Sequence, residues 1–286
     1  MQGRTDLALE QKELHPRLPD GIECEELKSG DATITKITVK TKAGSAALKK
    51  PIGIYTTIEV PPFTDNLSNE ELIKTASGTL RELIPQKGAA LIVGLGNREI
   101  TPDALGPKAV AKTLATGHIN NELKRLAGID EIRDVFVLSP GVLGQTGIEV
   151  FDLLFSLTNK IKPAFLIVID ALASRNLSRL GCTLQMSDTG IEPGAGVGNA
   201  RKEISLNTLG VPVIAIGVPT VVDAKTLVYD LTGKEDEIVN PNGRQMIVTP
   251  REIDLLIDRA ANLIADSINR ALHPEINPEI IRELLA

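Results

Sequence analysis

The sequence predicts an α/β protein: a three-layer sandwich around a mostly parallel central sheet, preceded by an N-terminal β-rich segment. Three observations carry this. Residues 89–93, 164–169 and 213–217 are continuous apolar runs of strand length, the mark of strands buried on both faces. Helix-length stretches separate or follow them. Residues 32–41 and 55–60 instead alternate apolar with polar side chains and are rich in β-branched types, as half-exposed strands are.

In chain order, the first twenty or so residues are mostly polar, contain Pro16 and Pro19, and read as an extended arm. The strand at 55–60 is stopped by Pro61 and Pro62. Ser68 caps a helix that runs to about residue 83, with Glu70 and Glu71 suited to the helix dipole. A glycine turn follows the strand at 89–93, and a helix spans about 105–115. Strand 133–138, a glycine-rich loop at 141–147 and helix 148–159 come next. Residues 180–187 read as a strand leading into a flexible glycine-rich loop at 190–198. A long helix with Pro250 at its start covers 250–272, and a short one at 278–285 closes the chain.

Bulk composition bounds the function. With 286 residues and 42% hydrophobic content the chain can bury a sizeable core. Aromatics are 2% with no Trp, so stacking platforms for bases are scarce, and a net charge of −6 argues against direct nucleic-acid binding. Cys24 and Cys182 are too few for a disulfide scaffold and fit a reducing, cytoplasmic setting. No apolar run is long enough for a membrane span, and no secretory signal is expected.

Two aspartates stand out. Asp170 ends the apolar strand at 164–169, where an unpaired charge is costly. Asp103 lies beyond the next-door glycine turn, after Pro102, where it suits a helix N-cap as well as a site. Carboxyl ends of strands in open parallel sheets line the ligand crevice, so the two acids can meet there. Asp223 reads either as a third member of the crevice or, slightly favoured, as a helix cap, and Glu149 as a first-turn helix residue rather than a catalyst. His15, His118 and His273 form no metal spacing and no Ser/His/Asp pattern, so no cofactor is expected. Gly94-Leu95-Gly96-Asn97 admits a non-proteolytic nucleotide-binding reading, but the third glycine of that fingerprint is missing.

Five segments together resemble the germination proteases of spore-forming bacteria. They are Arg4-Thr5-Asp6-Leu7-Ala8-Leu9-Glu10, residues 93–107, residues 139–149, Ile169-Asp170-Ala171-Leu172-Ala173-Ser174-Arg175 and residues 217–224. The resemblance implies an endopeptidase of small acid-soluble spore proteins, acting in the cytoplasm of the spore core and assembled as a homotetramer. It implies Asp103 and Asp170 as the catalytic pair, and a core similar to the hydrogenase maturation proteases. Those bind nickel through two acids and a histidine; a metal-dependent maturation-type protease is therefore the alternative, although no matching histidine is found. The resemblance also implies a self-processing zymogen. Thr5-Asp6-Leu7-Ala8-Leu9-Glu10 looks like the family's cleavage site, with the cut between Asp6 and Leu7. Residues 1–6 are then a short propeptide and 7–286 one peptidase domain.

Two carboxylates in one site cannot both ionise easily. One aspartate is expected to activate water while the other, protonated, polarises the scissile carbonyl. An acid before the cut calls for a positive group, for which Arg98, Arg175 and Arg201 are the candidates by loop position.

Overall fold

A computed structural model describes residues 5–65, 69–126, 132–195, 201–233 and 246–285. Residues 1–4 of the expected propeptide, the expected cap residue Ser68 and residues 196–198 of the expected glycine-rich loop lie outside them.

The elements follow in order. Helix α1 is Ala8–Glu13, β1 is Ile22–Ser29, β2 is Ala32–Val39, α2 is Lys42–Leu48 and β3 is Gly53–Glu59. Then come α3 (Asn69–Leu83), β4 (Ala90–Gly94), a 3-10 turn (Thr101–Asp103), α4 (Leu105–Val110) and α5 (Asn121–Leu126). The middle of the chain gives β5 (Val135–Leu138), α6 (Leu143–Thr146), α7 (Val150–Ile161), β6 (Phe165–Ser174) and β7 (Thr183–Ser187). Last are α8 (Leu206–Leu209), β8 (Val213–Asp223), α9 (Ala224–Thr232), β9 (Ile247–Val248), α10 (Ile253–Leu272) and α11 (Pro278–Leu285).

Among the described residues, the nine strands join one sheet in the order β1-β2-β3-β7-β8-β6-β4-β5, with β9 against β8. The core run β8-β6-β4-β5 is parallel, as the continuous apolar strands require. The N-terminal β-rich segment extends the same sheet: β3 pairs antiparallel with β7, and β7 with β8.

Alternate residues of each strand feed opposite faces. Ala90 and Ile92 of β4, and Ile167 and Ile169 of β6, pack with α3, α4 and α10 in the main core. Leu91, Val93, Leu166 and Val168 face the other way, against Phe151 and Leu154 of α7. On that same second face, Ile37, Val39 and Tyr55 pack with Ala8, Leu9 and Leu48 from α1 and α2. The sheet thus has helices on both faces, and on the second face they form two separate clusters. Burying each of the Val, Leu, Ile and Phe side chains among them is worth about 1.5–3 kcal/mol.

Several expectations need correction. The N-terminal arm is not simply extended: it contains α1, whose Leu7, Ala8 and Leu9 are buried, and then β1. Strand β1 is rich in charge because it is an edge strand paired only with β2, and most of its side chains are exposed. The helix expected at 105–115 stops at Val110. Asn269 of α10 takes over there, accepting from the Leu114 N–H at 2.9 Å and donating to the Lys112 carbonyl at 3.0 Å. The strands expected at 164–169 and 213–217 run on to Ser174 and Asp223, so Asp170 lies inside β6 rather than at its end, and α9 begins directly after Asp223, where a helix cap is expected.

Candidate active site

Helices α7 and α8 on one side and α1 and α2 on the other leave a cleft of about 1050 Å³ on the second face. Its walls include Asp6, Lys50, Asp103, Asp170, Gln185 and Arg201.

Asp103 reaches the cleft through the glycine turn after β4. Gly96 has φ +109°, and a Cβ there would lie 2.0 Å from the Asp103 carbonyl oxygen. That close approach, rather than a phosphate, accounts for the glycine. The Asn97 N–H donates to Asp103 Oδ2 at 2.7 Å. Thr220 of β8 pins the turn by donating to the Pro102 carbonyl at 2.8 Å. Asp103 does not cap α4, which has no side-chain cap. Burial pushes the Asp103 carboxyl above its ordinary value, against the Asn97 hydrogen bond.

Asp170 is 7% exposed and accepts from the Ala171 N–H at 2.9 Å. Its carboxyl is held well above the usual carboxylate range by burial first, then by the charges of Asp103 and Asp6. The register places Asp170 opposite Gly217 of β8, and Gly217 opposite Gln185 of β7. Residues on one rung share a face, so Asp170 and Gln185 point to the cleft side. A Cβ on Gly217 would lie 2.6 Å from the Leu172 side chain, so only glycine fits between them.

The N-terminal segment enters this cleft. Asp6 pairs with the end of β6: its N–H donates to the Ala173 carbonyl at 2.9 Å, and its Oδ2 accepts from the Ala173 N–H at 2.8 Å. Leu7 is fully buried. Glu10, four residues after Asp6, accepts from the Arg175 N–H at 2.7 Å and the Asn176 N–H at 2.8 Å. Arg179 ties the same helix down through Glu13, at 2.6 and 2.7 Å, and reaches Glu59 of β3 at 3.1 Å.

The three arginines diverge. Arg201 lines the cleft and pairs with Glu149 at 3.3 Å. Arg175 meets Glu10 through its backbone, and its side chain is not among the cleft walls. Arg98 is exposed beside the cleft mouth and does not line it. Asp223 caps α9, accepting from the Thr226 N–H at 3.1 Å, and Glu149 sits at the α7 N-cap position without a side-chain cap bond. Among the described residues, no group of three or more His, Cys, Asp or Glu side chains could hold a metal ion, and no helix is long and apolar enough to cross a membrane.

Two further cleft residues, Lys50 and Gln185, carry no motif in the sequence. Gln185 did carry a signal, a lone amide between Leu184 and Met186 in a buried strand. Lys50, beside Lys49, looks like any solvated pair.

A sheet-floored cleft holding paired carboxylates and a strip of the chain's own backbone defines a candidate hydrolase, and the comparisons make the class a peptidase. The sequence profile of the germination proteases matches residues 4–233 and 234–283, and the chain belongs to that family. Germination proteases of Caldanaerobacter subterraneus subsp. tengcongensis and Clostridium tetani are similar to it. They are 42% and 41% identical, with 99% and 100% of this chain and 98% and 100% of the relatives covered. The germination protease of Priestia megaterium is 35% identical over 96% of this chain and 95% of its own length. Among solved structures, a NiFe hydrogenase maturation protease from Thermococcus kodakarensis gives a TM-score of 0.38 at 17% identity, covering 66% of this chain and 98% of that one. The chain is thus an endopeptidase of spore germination, acting on a protein substrate.

Proposed function

We propose that the chain is made as a zymogen that cuts itself between Asp6 and Leu7 and then degrades small acid-soluble spore proteins, using Asp103 and Asp170. Residues 1–6 are the propeptide and residues 7–286 the peptidase domain, working as a homotetramer in the cytoplasm of the spore core without cofactor or nucleic acid. The observation that carries this reading is the Asp170 carboxyl, buried within β6 and pushed toward its protonated form by that burial first and then by the charge of Asp103 across the same cleft. One aspartate, ionised, takes a proton from water as the water attacks the carbonyl. The other, protonated, supplies a hydrogen bond or proton. Arg201, at the cleft wall, is the best placed of the arginine candidates to meet an acidic substrate, with Arg98 and Arg175 further out.

The test is incubation with a purified small acid-soluble spore protein and mapping of the products by mass. Cuts between an acid and a large apolar residue are expected. An intact substrate after prolonged incubation with the processed enzyme contradicts the reading.

A further inference from the structure

The Asp6 carbonyl, on the acid side of the proposed cut, is held by two side-chain donors. Lys50 Nζ donates to it at 2.7 Å and Gln185 Nε2 at 3.2 Å. Gln185 also spans the bond: its Oε1 accepts from the Ala8 N–H at 2.7 Å. One amide therefore grips the chain on both sides of Leu7, and an ammonium sits on the carbonyl between Asp6 and Leu7. An ordinary surface anchor has no need of this. Lys50 directly follows Lys49, the left-handed C-cap of α2 (φ 53°), and lines the cleft. Burial pushes its ammonium below the ordinary lysine value, while Asp6, Glu10 and Glu192 pull the other way. Gln185 is set by the sheet register on the same face as Asp170.

We propose that Lys50 and Gln185 are catalytic residues: they polarise the carbonyl of the scissile bond and take up the negative charge that gathers on its oxygen. This rests on the self-cleavage reading of the Asp6–Leu7 bond. Water oxygen bonds to the Asp6 carbonyl carbon and gives one proton to the ionised aspartate. The carbonyl oxygen, now carrying charge, keeps its bonds to Lys50 and Gln185. The C–N bond then breaks, and the protonated aspartate gives its proton to the Leu7 nitrogen. The oxyanion re-forms the carbonyl as that bond breaks, so the products are a chain beginning with the Leu7 amine and a peptide ending in the Asp6 carboxylic acid, which releases the second water proton to solvent, and the dyad is left with its one proton on the other aspartate. In this scheme the protonated aspartate is free to serve the leaving nitrogen, because the carbonyl already has its donors. The same pair would receive the carbonyl of a substrate once residues 1–6 have left.

Full-length wild-type, Lys50→Met, Lys50→Arg and Gln185→Met chains are followed by mass for loss of residues 1–6. The processed chains are then assayed on a synthetic peptide of residues 1–12. Lys50→Met is expected to slow self-cleavage by about 100-fold, the usual cost of one such donor. On the peptide it lowers kcat with KM nearly unchanged, because the contact strengthens only as charge develops. Lys50→Arg restores most of the rate, and Gln185→Met gives an intermediate loss. Circular dichroism checks folding; if Lys50→Met unfolds, Gln185→Met carries the same test. Wild-type rates in both variants overturn the proposal, as does a rise in KM alone, which marks a mere anchor. A wild-type chain that cleaves the spore protein but never its own Asp6–Leu7 bond removes the self-cleavage reading and this proposal with it. A wild type that cuts there, with variants as fast, removes only the proposal.

Discussion

Asp103 and Asp170 wall the same cleft, and the charge of Asp103 raises the proton affinity of Asp170 beyond what burial alone achieves. The two acids differ in surroundings. Asp103 accepts from the Asn97 N–H and is only partly buried, whereas Asp170 is 7% exposed and meets a second negative neighbour in Asp6. Burial and the two negative neighbours favour the protonated form at Asp170, while the two acids titrate as a coupled pair.

That asymmetry has a stability signature. The folded-state value of Asp170 lies above its ordinary 3.8, so between 3.8 and the raised value the folded chain binds the extra proton. Stability therefore falls as pH rises through that window. Asp170→Asn removes the buried charge and should raise the melting temperature above pH 5 while leaving it nearly unchanged at pH 3. Melting curves of both chains across this range check it; an Asn variant less stable at neutral pH contradicts the assignment.

His273 works in the opposite direction. It is 1% exposed at the end of α10, and burial together with nearby Arg133 pushes it down to about 4 from 6.5. The unfolded chain takes up the proton first, so stability is lost as pH falls from about 6.5 toward 4. The loss is about 3 kcal/mol when complete, from the same linkage relation. His273→Leu should flatten this acid limb in denaturant titrations at a series of pH values.

Gly96 is predicted to be irreplaceable. Gly96→Ala forces a side chain into positive φ and onto the Asp103 carbonyl, 2.0 Å from its oxygen. A stability loss of at least about 1–3 kcal/mol is expected from the strain. Because the same turn aims Asp103, activity should fall by more than the unfolded fraction explains. Calorimetry and substrate cleavage on one sample separate the two effects.

Glu10 should prove essential to the docked arm. Glu10→Ala leaves the Arg175 and Asn176 N–H groups without their acceptor and removes a charge 3.9 Å from Arg179. A cost of about 2–3 kcal/mol follows from such buried charge-assisted bonds. Self-cleavage should slow because the Asp6–Leu7 bond is no longer held in place. Glu10→Gln, which keeps an acceptor, should recover part of it.

Much of the fold was legible because its strands are unusually pure. Residues 89–93 and 164–169 are apolar throughout, and only a strand covered on both faces needs that. Strand β1 was hidden by Glu23, Glu25 and Glu26, which an edge strand tolerates and a periodicity reading takes for loop. Helix α1 was hidden by its shortness and by the polar residues around it; its burial depends on β2, β3 and α2, which no local pattern reveals. Asp170 was visible as a charge at the end of an apolar run. Asp103 was visible only as an aspartate after proline, and its cap reading failed because the bond it accepts comes from Asn97, back in the glycine turn. Lys50 and Gln185 become neighbours of Asp6 only through tertiary structure, so neither could be assigned from spacing.

The most direct measurement is the cleavage rate of Asp103→Asn and Asp170→Asn chains, each checked for native folding. Products from the spore-protein substrate and from the chain's own N-terminus are followed by mass. The account predicts that either replacement abolishes both cuts, and that chelating agents leave the wild-type rate unchanged. A folded Asp170→Asn chain that still cleaves at the wild-type rate would contradict it.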